Sequence, residues 1–174
     1  MRRIAERDLR AFEELYRLYH PRLTRFLINM VGRRQFVQEV LHDTLMVVWG
    51  RPERYSGESK VSTWIFAIAY RKALKALKRQ DEPVEDRFAD TRPSPEGGPE
   101  REVDLRQTQA ALMSAIADLS ADHRAVVDLC YFHEMGYREI ADIMDCPVDT
   151  VKTRMFHARR HLKARLVGPL ADWL

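Results

Sequence analysis

Cysteine and long apolar runs are both scarce in this chain of 174 residues. Cys130 and Cys146 have no partner at the C-x-x-C or C-x-x-C-H spacing, so neither a disulfide framework nor a common zinc or haem site is predicted. No window approaches the roughly eighteen consecutive apolar residues of a membrane span. The N-terminus also lacks the continuous apolar core of a signal peptide. We therefore expect a reduced, cytoplasmic protein with no membrane insertion of its own.

The chain also lacks strand signals and the residue groupings of common enzymes. No nucleophile and base stand at a catalytic spacing, and no glycine-rich phosphate loop is present. His157 and His161 lie one helical turn apart and could bind zinc, but no third ligand is suitably spaced. We expect an all-α fold with no enzymatic activity, no cofactor and no metal.

Apolar residues recur at three- and four-residue steps, which is the period of a helix with one buried face. The pattern predicts seven helices, with approximate bounds 8–32, 35–49, 63–79, 105–118, 120–133, 137–144 and 148–166. Pro21 removes a backbone hydrogen bond, so a kink or break is expected near Tyr19-His20. Ser62 or Thr63 is the expected N-cap of the third helix, and Ser120 of the fifth.

The stretch from Met135 to Leu166 has two short helical patterns around Asp145-Cys146-Pro147, the spacing of a helix-turn-helix. One side of the second helix is an apolar stripe that consists of Val151, Met155, Ala158 and Leu162, extended by Val148 and Leu166. The opposite side presents Asp149, Thr153, Phe156, His157 and Arg160, flanked by Lys152 and Lys163. A solvated charged face would look similar, but the preceding turn favours a helix that reads DNA. Arg154 and Arg159 flank the stripe and could serve packing or phosphate binding.

Residues 55–62 form a polar, hydroxyl-rich loop before a basic helix, with no acid between Glu58 and Asp81. Such a loop beside cations suits an unpaired base and its backbone better than a closed duplex. An ordinary surface loop has a similar composition, so both interpretations stay open. Trp49 and Trp64 are assigned to the core rather than to base stacking.

Between residues 81 and 104 the composition shifts to proline, glycine and acids, with too few apolar side chains for a core. This shift predicts a flexible acidic linker between two small helical domains, residues 1–80 and 105–174. Its 24 residues extend to at most about 80 Å. Two DNA sites that are one and a half turns of duplex apart are separated by about 50 Å. The linker is therefore long enough for the two domains to occupy two such sites on one DNA molecule.

Nearly the whole chain resembles the extracytoplasmic-function (ECF) sigma factors of bacterial RNA polymerase. The resemblance is carried by VQEVLHDTLMVVW (37–49), YSGESKVSTWIFAIAYRKALKALKR (55–79) and YREIADIMDCPVDTVKTRMFHARRHL (137–162). In this order, the three stretches resemble the family's core-binding helix, its minus-10-reading loop and helix, and its minus-35-reading helix-turn-helix. The resemblance therefore implies sigma regions 2 and 4 in an all-α chain, and promoter-specific transcription initiation as the function.

The resemblance also implies three sets of site residues. Core polymerase would be bound by Gln38, Glu39, His42 and Asp43. The minus-10 element would be bound by Ser56, Gly57, Glu58, Ser59, Lys60, Ser62, Arg71, Lys72 and Lys75. The minus-35 element would be bound by Asp149, Thr150, Lys152, Thr153, Phe156, His157 and Arg160.

Three positions depart from the family pattern. His42 stands where glutamine is usual, Asp149 stands where glycine is usual, and Glu134-Met135-Gly136 shifts a glycine by two positions. A carboxylate at position 149 could cap the helix or accept a hydrogen bond from a cytosine amino group.

The implied partners are core RNA polymerase, through its beta-prime clamp and beta flap, promoter DNA and an anti-sigma factor. The alternative is a stand-alone helix-turn-helix regulator whose N-terminal bundle is a dimerisation or sensing module. The basic loop and helix at 55–79 and the VQEVLHDTL segment favour the sigma factor.

Overall fold

The computed structural model describes residues 1–81 and 111–166, and every regular element within these ranges is helical. The all-α prediction is confirmed. The predicted acidic linker after residue 81, the start of the helix predicted from 105 and the last eight residues lie outside the described ranges. No helix among the described residues is long and apolar enough to cross a membrane.

The N-terminal half, residues 1–81, is a helical bundle. It contains α1 (Arg2–Ala5), α2 (Leu9–Val31), α3 (Arg34–Gly50), a 3-10 turn (Pro52–Arg54) and α4 (Val61–Asp81). Its core includes Leu23, Phe26, Leu27, Ile65 and Phe66, each with no solvent-exposed area. Burying a side chain of this size stabilises the fold by roughly 1.5–3 kcal/mol, so these residues hold α2 and α4 together.

Two local predictions in this half fail in whole or in part. The break that was one of the two outcomes expected near Pro21 does not occur, since α2 is continuous from Leu9 to Val31. Pro21 and Arg17 are both exposed, so water can satisfy the Arg17 carbonyl that loses its backbone partner. Ser62 and Thr63 are not N-caps, because α4 begins at Val61 and Thr63 is 2% exposed inside it.

The C-terminal half, residues 111–166, contains a helical segment at 111–117 (α5), α6 (Ala121–Tyr131), α7 (Tyr137–Met144) and α8 (Val148–Arg165). Ser120 caps α6 as predicted, since its side chain accepts from the backbone N–H of His123. α7 has its predicted bounds, and α8 ends one residue before its predicted end. These three helices form the helix-turn-helix and its support.

The turn before α7 explains the shifted glycine. Glu134 has φ of 54°, in the left-handed region that favours glycine. Gly136 has φ of −71° and is the N-cap of α7, where its backbone N–H donates to Glu139 Oε2 at 3.2 Å. The left-handed backbone conformation is therefore adopted by Glu134, and the glycine lies two positions later, at the N-cap of α7.

The two halves contact each other. α7 packs on α4, and α6 packs on α2.

Candidate nucleic-acid interface

The face of α8 opposite its apolar stripe is open to solvent. Val151, Met155, Ala158 and Leu162 are buried against the rest of the C-terminal half, as predicted. Phe156 lies on the other side with 62% of its surface exposed, and the Arg160 guanidinium sits 6.0 Å from its ring centroid. A large apolar ring beside a cation suits a thymine methyl group and its phosphate.

Asp149 pairs with a neighbour on its own helix. Its carboxylate lies 2.9 Å from Lys152 Nζ, and both side chains are exposed. The N-cap of α8 is Pro147 and has no side-chain hydrogen bond, so Asp149 does not cap the helix. Thr153 donates its hydroxyl hydrogen to the Asp149 carbonyl at 2.9 Å. Asp149, Lys152 and Thr153 therefore partly satisfy one another's hydrogen-bonding groups. Thr150, beside Asp149, is half-buried.

A histidine cluster borders the exposed face of α8. His157 and His161 line a cavity of about 450 Å³ together with His123 and Ser120 of the α6 N-terminus, and the His123 and His157 rings are 6.3 Å apart. Burial and the neighbouring His157 lower the pKa of His123. The described residues contain no group of three His, Cys, Asp or Glu side chains that could hold a metal ion. Sequence reasoning missed His123 because only the packing of α6 on α8 brings it there.

Arg154 and Arg159, for which the sequence left packing or phosphate binding open, both make packing contacts. The guanidinium of Arg154 lies 2.5 Å from Asp122 Oδ2, at the start of α6. Arg159 Nε donates to the Tyr131 hydroxyl at 3.0 Å. Both arginines therefore tie α8 to α6.

The loop before α4 is held by its own hydrogen bonds. The Tyr55 hydroxyl donates to the Ser59 carbonyl at 2.6 Å, and Ser56 Oγ accepts from the Glu58 backbone N–H at 3.3 Å. Gly57 has φ of 84°, which only glycine adopts freely. Ser56, Gly57 and Glu58 are exposed at the tip. The loop thus presents hydroxyl and backbone groups to solvent in a defined conformation.

A basic cavity of about 580 Å³ lies beside this loop. Its cations are Arg51, Arg54, Arg71 and Lys72, and Asp43 is its single acid. Lys72 Nζ lies 2.9 Å from Asp43 Oδ2, while Arg71 and Lys75 are exposed. Sequence reasoning missed Arg51 and Arg54, although two arginines around Pro52, just before the loop, were a usable signal.

The predicted polymerase-binding residues of α3 are all exposed but face two ways. Glu39 lies 2.6 Å from Arg79, and Asp43 pairs with Lys72, so both acids face α4. Gln38 and His42 instead line a groove of about 240 Å³ between α2 and α3. The rest of the groove consists of Phe12, Tyr16, His20, Leu41, Leu45 and Met46.

The two tryptophans assigned to the core are half-buried. The Trp49 ring packs 5.0 Å from Phe12, and the Trp64 ring packs 5.5 Å from Tyr55. Trp64 therefore supports the loop that Tyr55 begins.

Comparison with known protein families matches both halves of the chain. Residues 15–82 match the family model for Sigma-70 region 2, and residues 109–162 match that for Sigma-70 region 4. The first match covers the loop and α3, and the second covers the helix-turn-helix.

Individual relatives are similar over nearly the whole length. The chain is 31% identical over 169 residues to the ECF RNA polymerase sigma factor RpoE of Cereibacter sphaeroides, covering 92% of this chain and 88% of that protein. It is 28% identical over 174 residues to the ECF RNA polymerase sigma-E factor of Haemophilus influenzae, covering 94% and 92%.

A solved structure shares the fold. The sigma factor RpoE of Bartonella quintana, determined with the anti-sigma factor NepR, matches with a TM-score of 0.69 at 23% identity. The match covers 89% of this chain and 96% of that one.

Proposed function

The chain belongs to the ECF sigma factors of RNA polymerase, and from that membership we propose which of its surfaces bind promoter DNA and which bind core polymerase. It is an RNA polymerase sigma factor, and the stand-alone regulator is not favoured, because region 2 and region 4 both match. Residues 1–80 act as region 2, 81–104 as the linker and 105–174 as region 4. We expect no catalytic activity.

The exposed face of α8 reads the minus-35 element. The observation that carries this assignment is the segregation of α8, whose apolar stripe is buried while Phe156 and Arg160 are exposed together. Lys152, Thr153 and His157 complete the reading face, with Asp149 and Thr150 at the helix start. Cations supply phosphate binding, and the short polar side chains reach base edges.

The loop around Gly57 captures an unpaired base of the minus-10 element. Its exposed serine and backbone groups provide hydrogen bonds to a base edge. The adjacent basic cavity binds the strand's phosphates, and we add Arg51 and Arg54 to the expected cations Arg71, Lys72 and Lys75.

Core polymerase binds across α3. Glu39 and Asp43 supply the charged edge of this surface, and Gln38 and His42 supply its groove. Exposed apolar area at Met46 (50%) and Tyr16 (42%) borders the groove, as expected of a protein-binding surface. The beta-prime clamp is the proposed contact here, and the beta flap is the proposed contact of region 4.

An anti-sigma factor is the proposed regulator. The Bartonella quintana relative was determined with one, and the exposed apolar surface along α2 and α3 suits a bound helix. Recovery of core polymerase subunits alone in a pull-down from the native organism would contradict this partner.

Run-off transcription with purified core polymerase tests the function. The full chain is expected to direct initiation from a promoter that core enzyme alone does not use. His42→Gln, which restores the residue usual in the family, should keep this activity. Normal binding to duplex DNA without specific initiation would contradict the sigma assignment and support a stand-alone regulator.

A further inference from the structure

The cavity between α6 and α8 adjoins the face of α8 proposed to read DNA. Its volume is about 450 Å³. The polar side chains that line it and can donate hydrogen bonds are Ser120, His123, His157, Arg160 and His161. Arg160 belongs to both surfaces, since its guanidinium also lies 6.0 Å from the ring centroid of exposed Phe156. The cavity is therefore continuous with the reading face.

The cavity presents little unscreened negative charge. Asp118 is the single acid among the described residues that line it. The Asp118 carboxylate lies 2.9 Å from Arg165, and its side chain is 41% exposed, so solvent screens its charge. Asp122, which precedes His123 on α6, is bound by Arg154. The charges around the cavity thus permit an anion to enter it.

Ser120 orients the His123 ring. Its hydroxyl oxygen lies 2.8 Å from His123 Nδ1 and accepts from the His123 backbone N–H at 3.4 Å. The hydroxyl can donate its own hydrogen to Nδ1. In that arrangement Nε2 carries the ring hydrogen, and Nε2 forms no hydrogen bond within the described residues. Burial lowers the pKa of His123, so at neutral pH the ring is an uncharged N–H donor.

A second histidine of the cavity has a buried nitrogen without a partner. His161 Nε2 is shielded from solvent and forms no hydrogen bond within the described residues. A buried polar atom in this state costs free energy until a partner satisfies it. A ligand bound in the cavity that His161 lines would supply that partner.

The place of the cavity along α8 matches the edge of a major groove. Arg160 lies seven residues after Thr153, which is about 10 Å along the helix axis. A major groove is about 8.5 Å deep. When a helix enters with its N-terminal end foremost and Thr153 touches base edges, Arg160 therefore lies near the rim, where the backbone phosphates are. This position favours a DNA phosphate over a free anion.

We propose that this cavity binds a backbone phosphate of the minus-35 DNA, and that His123 of α6 donates a hydrogen bond to that phosphate. The inference rests on the proposed function of α8. Arg160 supplies the positive charge from α8, and His161 adds a second ring nitrogen. Ser120 is a positioning residue, because it acts on the phosphate only through the His123 ring. The minus-35 duplex is thereby held by two helices of the C-terminal half.

Two substitutions of His123 test the contact. Binding of the full chain to a minus-35 duplex is measured by fluorescence anisotropy. His123→Ala removes the donor and should weaken binding about fivefold. His123→Gln retains an N–H donor and should stay within about twofold of wild type. Unchanged binding by His123→Ala, or an equal loss in both variants, would overturn the proposal.

Neutral phosphates in the DNA separate a direct contact from an indirect packing effect. Each duplex of a set carries one methylphosphonate in place of a phosphate beside the minus-35 element. At one position this replacement should weaken wild-type binding about fivefold but cause no further loss in His123→Ala. If His123→Ala instead loses the same factor on every duplex, His123 acts through packing and the proposal fails.

The imidazole NMR signal of His123 distinguishes DNA from a free anion. It should shift when the natural duplex is added and stay in place with inorganic phosphate at the same concentration. A shift with inorganic phosphate, together with no effect of any methylphosphonate, would assign the cavity to a free anion and overturn the DNA contact.

Phe156→Ala in the same titrations separates this inference from the proposed function. If Phe156→Ala and His123→Ala both bind like wild type, the assignment of the reading face fails as well. If Phe156→Ala weakens binding and His123→Ala does not, only the phosphate contact fails.

Discussion

Helices α4 and α8 are both rich in lysine and arginine, but they use their cations differently. On α4, Lys72 and Arg79 pair with Asp43 and Glu39, the acids proposed to bind polymerase. On α8, the cations that pair with other helices lie off the reading face, as Arg154 does. Composition alone therefore does not show which cations are available to DNA. In the proposed assignment, polymerase and DNA binding share side chains on α4, whereas packing and DNA reading occupy separate faces of α8.

Because α8 has one buried and one exposed face, two adjacent residues should differ strongly in their effect on stability. The substitution at the buried residue has the largest expected effect of all the changes proposed. Met155 is 1% exposed and Phe156 is 62% exposed. Met155→Ala should lower the free energy of unfolding by about 2–4 kcal/mol because it leaves a cavity, whereas Phe156→Ala should change it by less than about 0.5 kcal/mol. Urea denaturation measures both. Similar losses for the two variants would mean that α8 is not segregated.

Phe156→Ala and Arg160→Ala should weaken minus-35 duplex binding. Arg160 forms no ion pair within the described residues, while Arg165, on the same helix, lies 2.9 Å from Asp118. Loss of Arg160 should weaken binding about fivefold and reduce the salt slope by roughly one. Arg165→Ala is the matched control and should leave both nearly unchanged. Anisotropy titrations at several salt concentrations measure these values, and equal losses would contradict the assignment.

A single glycine substitution in the turn before α7 should stabilise the protein. Glu134→Gly removes the strain of a left-handed residue with φ of 54° and should raise the free energy of unfolding by about 0.5–1 kcal/mol. Gly136→Ala should be nearly neutral, since its φ is −71° and an added Cβ would meet only Glu139 Oε2 at 3.9 Å. Thermal unfolding of both variants is the measurement. A destabilised Glu134→Gly chain would show that the glutamate side chain has a role of its own.

Loss of the acid that pairs with Lys72 of α4 should have the smallest effect. It should change DNA binding and polymerase binding in opposite directions. Asp43→Asn removes the partner of Lys72, so binding to single-stranded minus-10 DNA should tighten about twofold. Binding to core polymerase should weaken, because Asp43 belongs to its proposed surface. Glu53→Gln, an exposed acid with no ion pair among the described residues, is the control. A change of the same sign in both assays would argue against a shared role.

Much of the fold could be read from periodicity. The bounds of α7 and the buried stripe of α8 agree with the sequence prediction, because each helix buries one face and its pattern survives in any all-α packing. Local expectations failed where burial decided the outcome. Thr63 is not a cap because its position is inside the packed start of α4, and Pro21 is tolerated because its turn of α2 faces solvent.

The site residues were predictable only in part. Phe156 and Arg160 could be placed on an exposed face from the helical period alone. His123 could not, because it lies on another helix and reaches His157 only when α6 packs on α8. The roles of Arg154 and Arg159 were likewise open until Asp122 and Tyr131 were seen beside them.

The sequence by itself determined the all-α class, the helix-turn-helix and the apolar and polar faces of α8, since these follow from spacing along one chain. Only the tertiary structure decided which cations are paired, and that Lys60 meets Glu139 while His133 inserts between Phe26 and Phe66. These contacts join residues far apart in sequence. Their energy depends on burial and on opposing charges within a few ångströms, which no local pattern records.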